Sequence, residues 1–192
     1  MASRIAAFAL AWTLALSGMA LAGQAQDTLK TSVDEVLRVL SASKPGSPGR
    51  AEALYKAVSS VFDPEELARR TLATNWDAFK PEERERFTKA FLKLLERTYL
   101  RRIEAYTDEK VLFLGEAPLA DGRVEVSTKI VTSTKEVPIV YRLIHKADWK
   151  VYDVVIEGVS LVQNYRNQFS QILAKETPAQ LIARVETMGN AS

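Results

Sequence analysis

Residues 149–169 read W-K-V-Y-D-V-V-I-E-G-V-S-L-V-Q-N-Y-R-N-Q-F, a stretch that joins an apolar strand to a capped amphipathic helix. From Trp149 to Ile156 aromatic and β-branched residues dominate, as in a strand covered on both faces. Gly158 breaks that strand, and Ser160 with Gln163 forms an S-x-x-Q capping box, so a helix starts there. On it Leu161, Val162, Tyr165, Phe169 and Ile172 or Leu173 recur at spacings of three and four, a stripe aimed at whatever the strand also faces.

Upstream of this corner the apolar period is two. Val111 and Phe113, then Val124, Val126 and Ile130, then Val137, Ile139, Tyr141 and Leu143 alternate with polar or differently facing residues. Asp121-Gly122, residues 133–135 and Ala147-Asp148 supply the turns, which predicts a four-stranded antiparallel meander ending at Ile156.

Before the strands the period is helical. Leu29, Val33, Val36, Leu37 and Leu40 mark a first helix, closed by the Ser-Lys-Pro-Gly-Ser-Pro-Gly run at 43–49. Leu54, Ala57, Val58 and Val61 mark a second. Asp63-Pro64-Glu65-Glu66 then gives an N-cap, an N1 proline and a box-closing acid for a third, which carries Leu67 and Leu72 toward Trp76. Pro81 opens a long fourth helix, where Lys80 is a poor N-cap and fraying is expected. Its apolar side holds Phe87, Phe91, Leu94, Leu95, Tyr99, Ile103 and Tyr106, widened by Leu92 and Leu100, so it should pack against two things. Thr177-Pro178-Ala179-Gln180 caps a last short helix with Leu181, Ile182 and Val185, followed by an unstructured Gly-Asn-Ala-Ser end. About six or seven helices flank the strands in sequence order, an α+β layout without an internal repeat or linker.

Arg4, an apolar run from Ile5 to Leu16, and the small-residue triplet Ala20-Leu21-Ala22 have the three-part layout of a cleaved signal peptide. The reading is a signal peptide at 1–22 and one domain at 23–192, with a second acceptable cleavage site after Ala25. No later segment could span a bilayer. Cysteine is absent, so an exported domain of this size must be held by its core, with no disulfide framework and no thiolate metal site. Without Arg4 the 26 basic residues become 25, against 24 acidic ones. Such a balance does not suggest nucleic acid or a strongly anionic surface as partner.

Catalytic constellations are missing from the sequence. His145 is the only histidine, and a catalytic zinc site needs about three protein ligands. Ser160 lacks the second glycine of a G-x-S-x-G elbow and serves better as a helix cap. The pairs Glu65-Glu66 and Glu82-Glu83 lie in first helical turns, where the macrodipole accounts for them. Residues 44–49 have glycines but no G-K-[ST] and no preceding strand. Arg69-Arg70 and Arg101-Arg102 read as solvated faces with i, i+4 partners. Arg166, among apolar neighbours, either pairs with an acid such as Asp153 or Glu157 or meets a ligand anion. The aromatic set from Trp76 to Phe169 reads, on spacing alone, as a core.

The block V-Y-D-V-V-I-E-G-V-S-L-V-x-N-Y-R-x-Q-F, Val151 to Phe169, together with the helix order, the Trp76 to Tyr99 region and the strand meander, resembles the MlaC family. These are the periplasmic phospholipid-binding carriers also called toluene-tolerance auxiliary proteins. The resemblance implies a curved sheet with helices packed on it, enclosing an apolar cavity for the acyl chains of a glycerophospholipid, and no catalysis, metal or cofactor. It implies docking partners on both sides of the periplasm: an outer-membrane lipoprotein and porin complex, and an inner-membrane ABC transporter with a lipid-handling ring subunit. The task implied is maintenance of outer-membrane asymmetry. Two acyl chains of about 30 methylenes at ~0.8 kcal/mol each represent roughly 24 kcal/mol of exposure in water, which is why a carrier must enclose them. With a cavity implied, stripe geometry nominates Phe91, Leu95, Tyr99 and Ile103 on the long helix and Phe113, Ile139, Tyr141 and Leu143 on strands. It adds Val154 and Ile156 on the last strand, and Leu161, Tyr165 and Phe169 on the helix after it. Spacing leaves open which of them are wall and which plain core. Two positions depart from the family's pattern: Ala73, where relatives often carry glycine, and Lys80, in place of a usual cap. Two other functions fit the residues, a ligand-free periplasmic adaptor of a membrane transport complex and, more weakly, a hydrolase of lipophilic compounds.

Overall fold

The period-two segments form the expected meander. In the computed structural model, which describes residues 23–106 and 110–190, β1 (Lys110–Pro118), β2 (Arg123–Val131), β3 (Glu136–His145) and β4 (Trp149–Ile156) lie side by side in chain order, all antiparallel. A fifth strand that periodicity did not reveal, β5 (Val159–Ser160), pairs back onto Val155 and Ile156. Its cause is the turn: Glu157 and Gly158 both take positive φ, 49° and 84°, the twist that folds a strand directly back on itself. The signal-peptide reading falls on residues outside those described.

Register sorts the two faces of the sheet. Val126, Tyr141 and Val154 stand in one row, and Thr128, Ile139 and Ile156 in the next, on the inner face. Glu125, Arg142 and Asp153 form a row on the outer face. Irregular pairings between Phe113 and Gly115 and between Arg142 and Leu143 interrupt the ladders. The second brings both Val151 and Tyr152 of β4 into buried positions, in keeping with a strand covered on both sides. Its far edge is closed by the segment before the third helix, where the Val151 N–H donates to the Val61 carbonyl at 2.8 Å and the Asp63 N–H to the Val151 carbonyl at 3.0 Å.

Around the sheet stand α1 (Gln24–Ala42), α2 (Arg50–Ser59), α3 (Pro64–Leu72), a 3₁₀ helix (Ala73–Ala78), α4 (Pro81–Glu104), α5 (Leu161–Leu173) and α6 (Pro178–Asn190). Their ends differ from the sequence reading in instructive ways. Asp63 accepts from the Glu66 N–H at 2.9 Å, but the Glu66 carboxylate does not close the box. It is held by Arg69 and Arg70 at 2.9 and 2.6 Å. At Lys80 the expected fraying is countered by Glu83, whose carboxylate accepts the Lys80 N–H at 2.9 Å. α1 begins at Gly23, which offers no side chain; Glu116 reaches over from β1 and accepts the Gly23 and Gln26 N–H groups at 2.5 and 3.0 Å. The last helix continues through Gly189 rather than ending before it. Gly189 packs so closely on α4 that a Cβ would lie 3.3 Å from the Leu94 amide nitrogen.

Ala73 occupies φ 51°, ψ −123°, a region an L side chain rarely adopts and glycine enters freely. This gives a physical reason for glycine at that position. Ala73→Gly is therefore expected to raise the urea midpoint, by about 1 kcal/mol of stability after glycine's own entropic cost. A midpoint that stays put or falls would show that the local backbone holds no such strain.

Three apolar clusters hold the molecule. One lies among α3 to α6 and is centred on Phe87, Phe91, Phe169, Leu181 and Ile182. A second lies between the inner face of the sheet and the N-terminal half of α1, around Leu29, Val126, Leu143 and Val151. The third, small, joins the C-terminal half of α1 to α2 and the end of α4 through Val39, Leu54 and Leu100. The long helix thus serves two clusters, the first by its N-terminal half and the third by its C-terminal half, which explains its wide stripe.

Candidate functional site

The residues nominated by stripe geometry do not fall into one group. Phe91, Leu95, Tyr165 and Phe169 belong to the helical cluster, where Phe91 stacks on Phe87 at 5.7 Å and meets Tyr165 and Phe169 edge-on at 5.1 and 5.6 Å. Phe113, Ile139, Tyr141, Leu143, Val154, Ile156 and Leu161 belong to the inner face of the sheet. Ile103 packs in the third cluster. Tyr99 sits in none of the three; burial raises its phenol above the usual range, with that of Tyr165 nearby.

Burial divides them a second way. Phe91, Ile139, Leu143, Val154, Tyr165 and Phe169 are closed off. Leu95, Tyr99, Ile103, Phe113, Tyr141, Ile156 and Leu161 are half-buried and keep accessible surface. Tyr141 shows where such surface faces. Loss of hydration pushes its phenol up to about 12, as for a group wrapped on all sides by protein, and the phenol of Tyr106 beyond the end of α4 adds to the effect. Its accessible area nevertheless leaves it only half-buried. Tyr141 is thus surrounded by protein and still keeps accessible surface on the inner face of the sheet.

Further half-buried apolar residues complete the same surface: Val33, Val36 and Leu40 on α1, and Ile130 on β2. The sequence reading left them out because a stripe on a first helix has the same spacing whether it meets a sheet or a void. Beside Leu40, Arg50 is 3% exposed and donates to the Leu40 carbonyl at 3.2 Å and the Glu104 carbonyl at 3.3 Å. It ties the C-terminal ends of α1 and α4 together, where orphan carbonyls and the negative end of each helix dipole favour a cation.

The remaining candidates for chemistry have structural work. Ser160 accepts from the Gln163 N–H at 3.0 Å and donates to Asp153 at 2.7 Å. Arg166 does not pair with Asp153, which is occupied by Arg142, Ser160 and the Val162 N–H. It donates instead to the Arg70 carbonyl at 2.6 and 3.0 Å, satisfying the C-terminal end of α3. The His145 ring meets Trp149 edge-on at 5.1 Å. Among the described residues no cluster of His, Asp and Glu could hold a metal ion. Two surface depressions lie elsewhere. The one of about 530 Å³ between α4 and α6 is lined by charged groups such as Glu82, Arg86, Lys89 and Glu186. The one of about 620 Å³ beside the β3–β4 turn is lined largely by polar ones such as Asp27, Thr31, His145 and Asp148. Neither is lined by a residue that stripe geometry nominated.

Sheet, helical layer and inward apolar surface together define a small α+β protein built around an apolar interior. The chain belongs to the MlaC family, whose model, described as MlaC protein, matches residues 30–187. Among curated proteins it is 28% identical over 123 residues to the intermembrane phospholipid transport system binding protein MlaC of Haemophilus influenzae, covering 61% of this chain and 58% of that protein. It is 23% identical over 157 residues to the toluene tolerance protein ttg2D of Pseudomonas putida, covering 78% and 73%. Among solved structures, the phospholipid-binding protein from Ralstonia solanacearum in complex with a phospholipid is similar with a TM-score of 0.76 and 25% identity, covering 86% of this chain and 97% of that one.

Proposed function

We propose that this chain is a periplasmic carrier that encloses the acyl chains of a glycerophospholipid between the inner face of the sheet, α1 and the C-terminal half of α4. The observation that carries the reading is the inward accessible surface of Tyr141, Phe113, Ile156 and Leu161. A protein of related fold has been solved with a phospholipid bound, which supports it. Enclosure replaces water around the chains with apolar side chains, so transfer from a membrane is nearly balanced and the cargo can be both loaded and delivered. The carrier shuttles between an outer-membrane lipoprotein and porin complex and an inner-membrane ABC transporter with a lipid-handling ring subunit, and so maintains outer-membrane asymmetry. The direction of flow belongs to the energised partner, because a passive carrier only equilibrates between docking sites. Residues 1–22 direct export and 23–192 form the mature domain. Cleavage after Ala22 is favoured over Ala25, since Ala25 is fully buried in α1 and Glu116 holds the Gly23 N–H.

Mass spectrometry of an organic extract of the purified mature protein tests the carrier. Intact phospholipid at about one per protein is expected. Its absence would favour the adaptor, and lyso-products would favour hydrolysis.

A further inference from the structure

Of the phenols on the half-buried inner surface, Tyr141 is the one set in the middle of the sheet, on β3. Its row on the inner face also holds Val126, Val154 and Glu116, whose carboxylate is taken up by the Gly23 and Gln26 N–H groups, and the next row holds Phe113, Thr128, Ile139 and Ile156. Thr128, whose hydroxyl donates to the Ile139 carbonyl at 3.0 Å, makes no hydrogen bond with it. The neighbouring basic residue on β3, Arg142, points to the opposite face and is held by Glu125 at 2.8 Å and Asp153 at 3.2 Å. Among the described residues the Tyr141 hydroxyl has no hydrogen-bond partner, and it keeps accessible surface. It is a donor with accessible surface on the inner face of the sheet.

We infer that the Tyr141 hydroxyl donates a hydrogen bond to an ester carbonyl of the bound lipid, and so fixes the depth at which the glycerol–acyl junction sits. This rests on the phospholipid reading above. A neutral acceptor fits because, among the described residues, the inner rows around Tyr141 hold no cation to offset a phosphate: a desolvated phosphodiester there would be strongly disfavoured, whereas a carbonyl needs only a donor. The phenol, raised to about 12, remains a donor throughout the pH range of a living cell. The recognised chemistry is therefore the acyl ester, which separates diacyl lipids from their dialkyl ether counterparts, while the charged head group stays outside this contact.

The test uses delipidated mature protein reloaded from vesicles of diacyl phosphatidylglycerol or of the matching diether lipid. Wild type should prefer the ester lipid by about three- to tenfold, the span of one net hydrogen bond, and Tyr141→Phe should bind both alike. Delipidated Tyr141→Phe should melt no lower than wild type, because the hydroxyl has no protein partner to lose, and this separates a ligand contact from a structural one. If wild type binds both lipids but shows no ester preference, or Tyr141→Phe keeps one, the inference is overturned while the carrier stands. Binding of neither lipid by wild type would overturn the carrier reading itself.

Discussion

Asp153→Ala is expected to lower the unfolding free energy by about 3–5 kcal/mol, the range for removing one partner from a buried charged network. Asp153 is 3% exposed and accepts from the Ser160 hydroxyl at 2.7 Å, the Val162 N–H at 3.1 Å and Arg142 at 3.2 Å. One carboxylate thereby joins β4 to the first turn of α5 and, through Arg142, to Glu125 on β2. Alanine leaves the buried Val162 N–H without an acceptor and takes a negative charge from a helix N-terminus. Arg142 keeps Glu125 at 2.8 Å, so its charge is not stranded, which holds the loss near the lower end of the range. A melting temperature lower by on the order of 10 °C follows for a domain of this size. Asp153→Asn keeps an acceptor for the Val162 N–H and should recover about half of the loss. A urea-unfolding loss below about 1 kcal/mol for the alanine variant would mean that the strand-to-helix corner is held by its apolar contacts alone.

The second large effect concerns cargo. Ile156→Glu should reduce co-purified phospholipid by about tenfold or more, since a carboxylate among apolar groups costs several kcal/mol and about 1.4 kcal/mol is a factor of ten. Ile156 is half-buried on the inner face, level with Ile139 and Thr128, so a charge there meets the acyl chains while the backbone and the sheet ladder stay as they are. Leu143, fully buried among packed neighbours, would report folding instead. The matched control is Leu112→Glu: Leu112 is 46% exposed and pairs with Lys129 in β2, so the new carboxylate stays in solvent. Both variants are first checked for cooperative urea unfolding. Equal lipid content in folded Ile156→Glu and Leu112→Glu would remove Ile156 from the cavity wall.

How far these sites could be read in advance depends on what each requires. Ser160 as the cap of α5, Asp63 and Pro64 at the start of α3, and the turn at Asp121-Gly122 were legible because each is local: a few residues carry both the signal and the structure. Other features needed a partner distant in the chain. Nothing near Gly23 announces that Glu116 will cap α1. Nothing near Arg166 announces that its acceptor is the Arg70 carbonyl, or near Gly189 that α4 passes within contact distance of it.

The same division runs through the candidate cavity. Amino-acid order alone determined the α+β layout, the alternation that puts Tyr141, Ile139 and Ile156 on one face, and the stripe of α4, because side-chain period follows from backbone geometry. It could not separate Phe91, stacked against Phe87 in a closed cluster, from Tyr141, which is half-buried on the inner face of the sheet. An apolar side chain has the same spacing in both settings, since burial against protein and burial against a lipid chain place the same demand on it. Only the tertiary structure separates the closed positions from the half-buried ones, because the side chains that cover a residue come from elements distant in the chain.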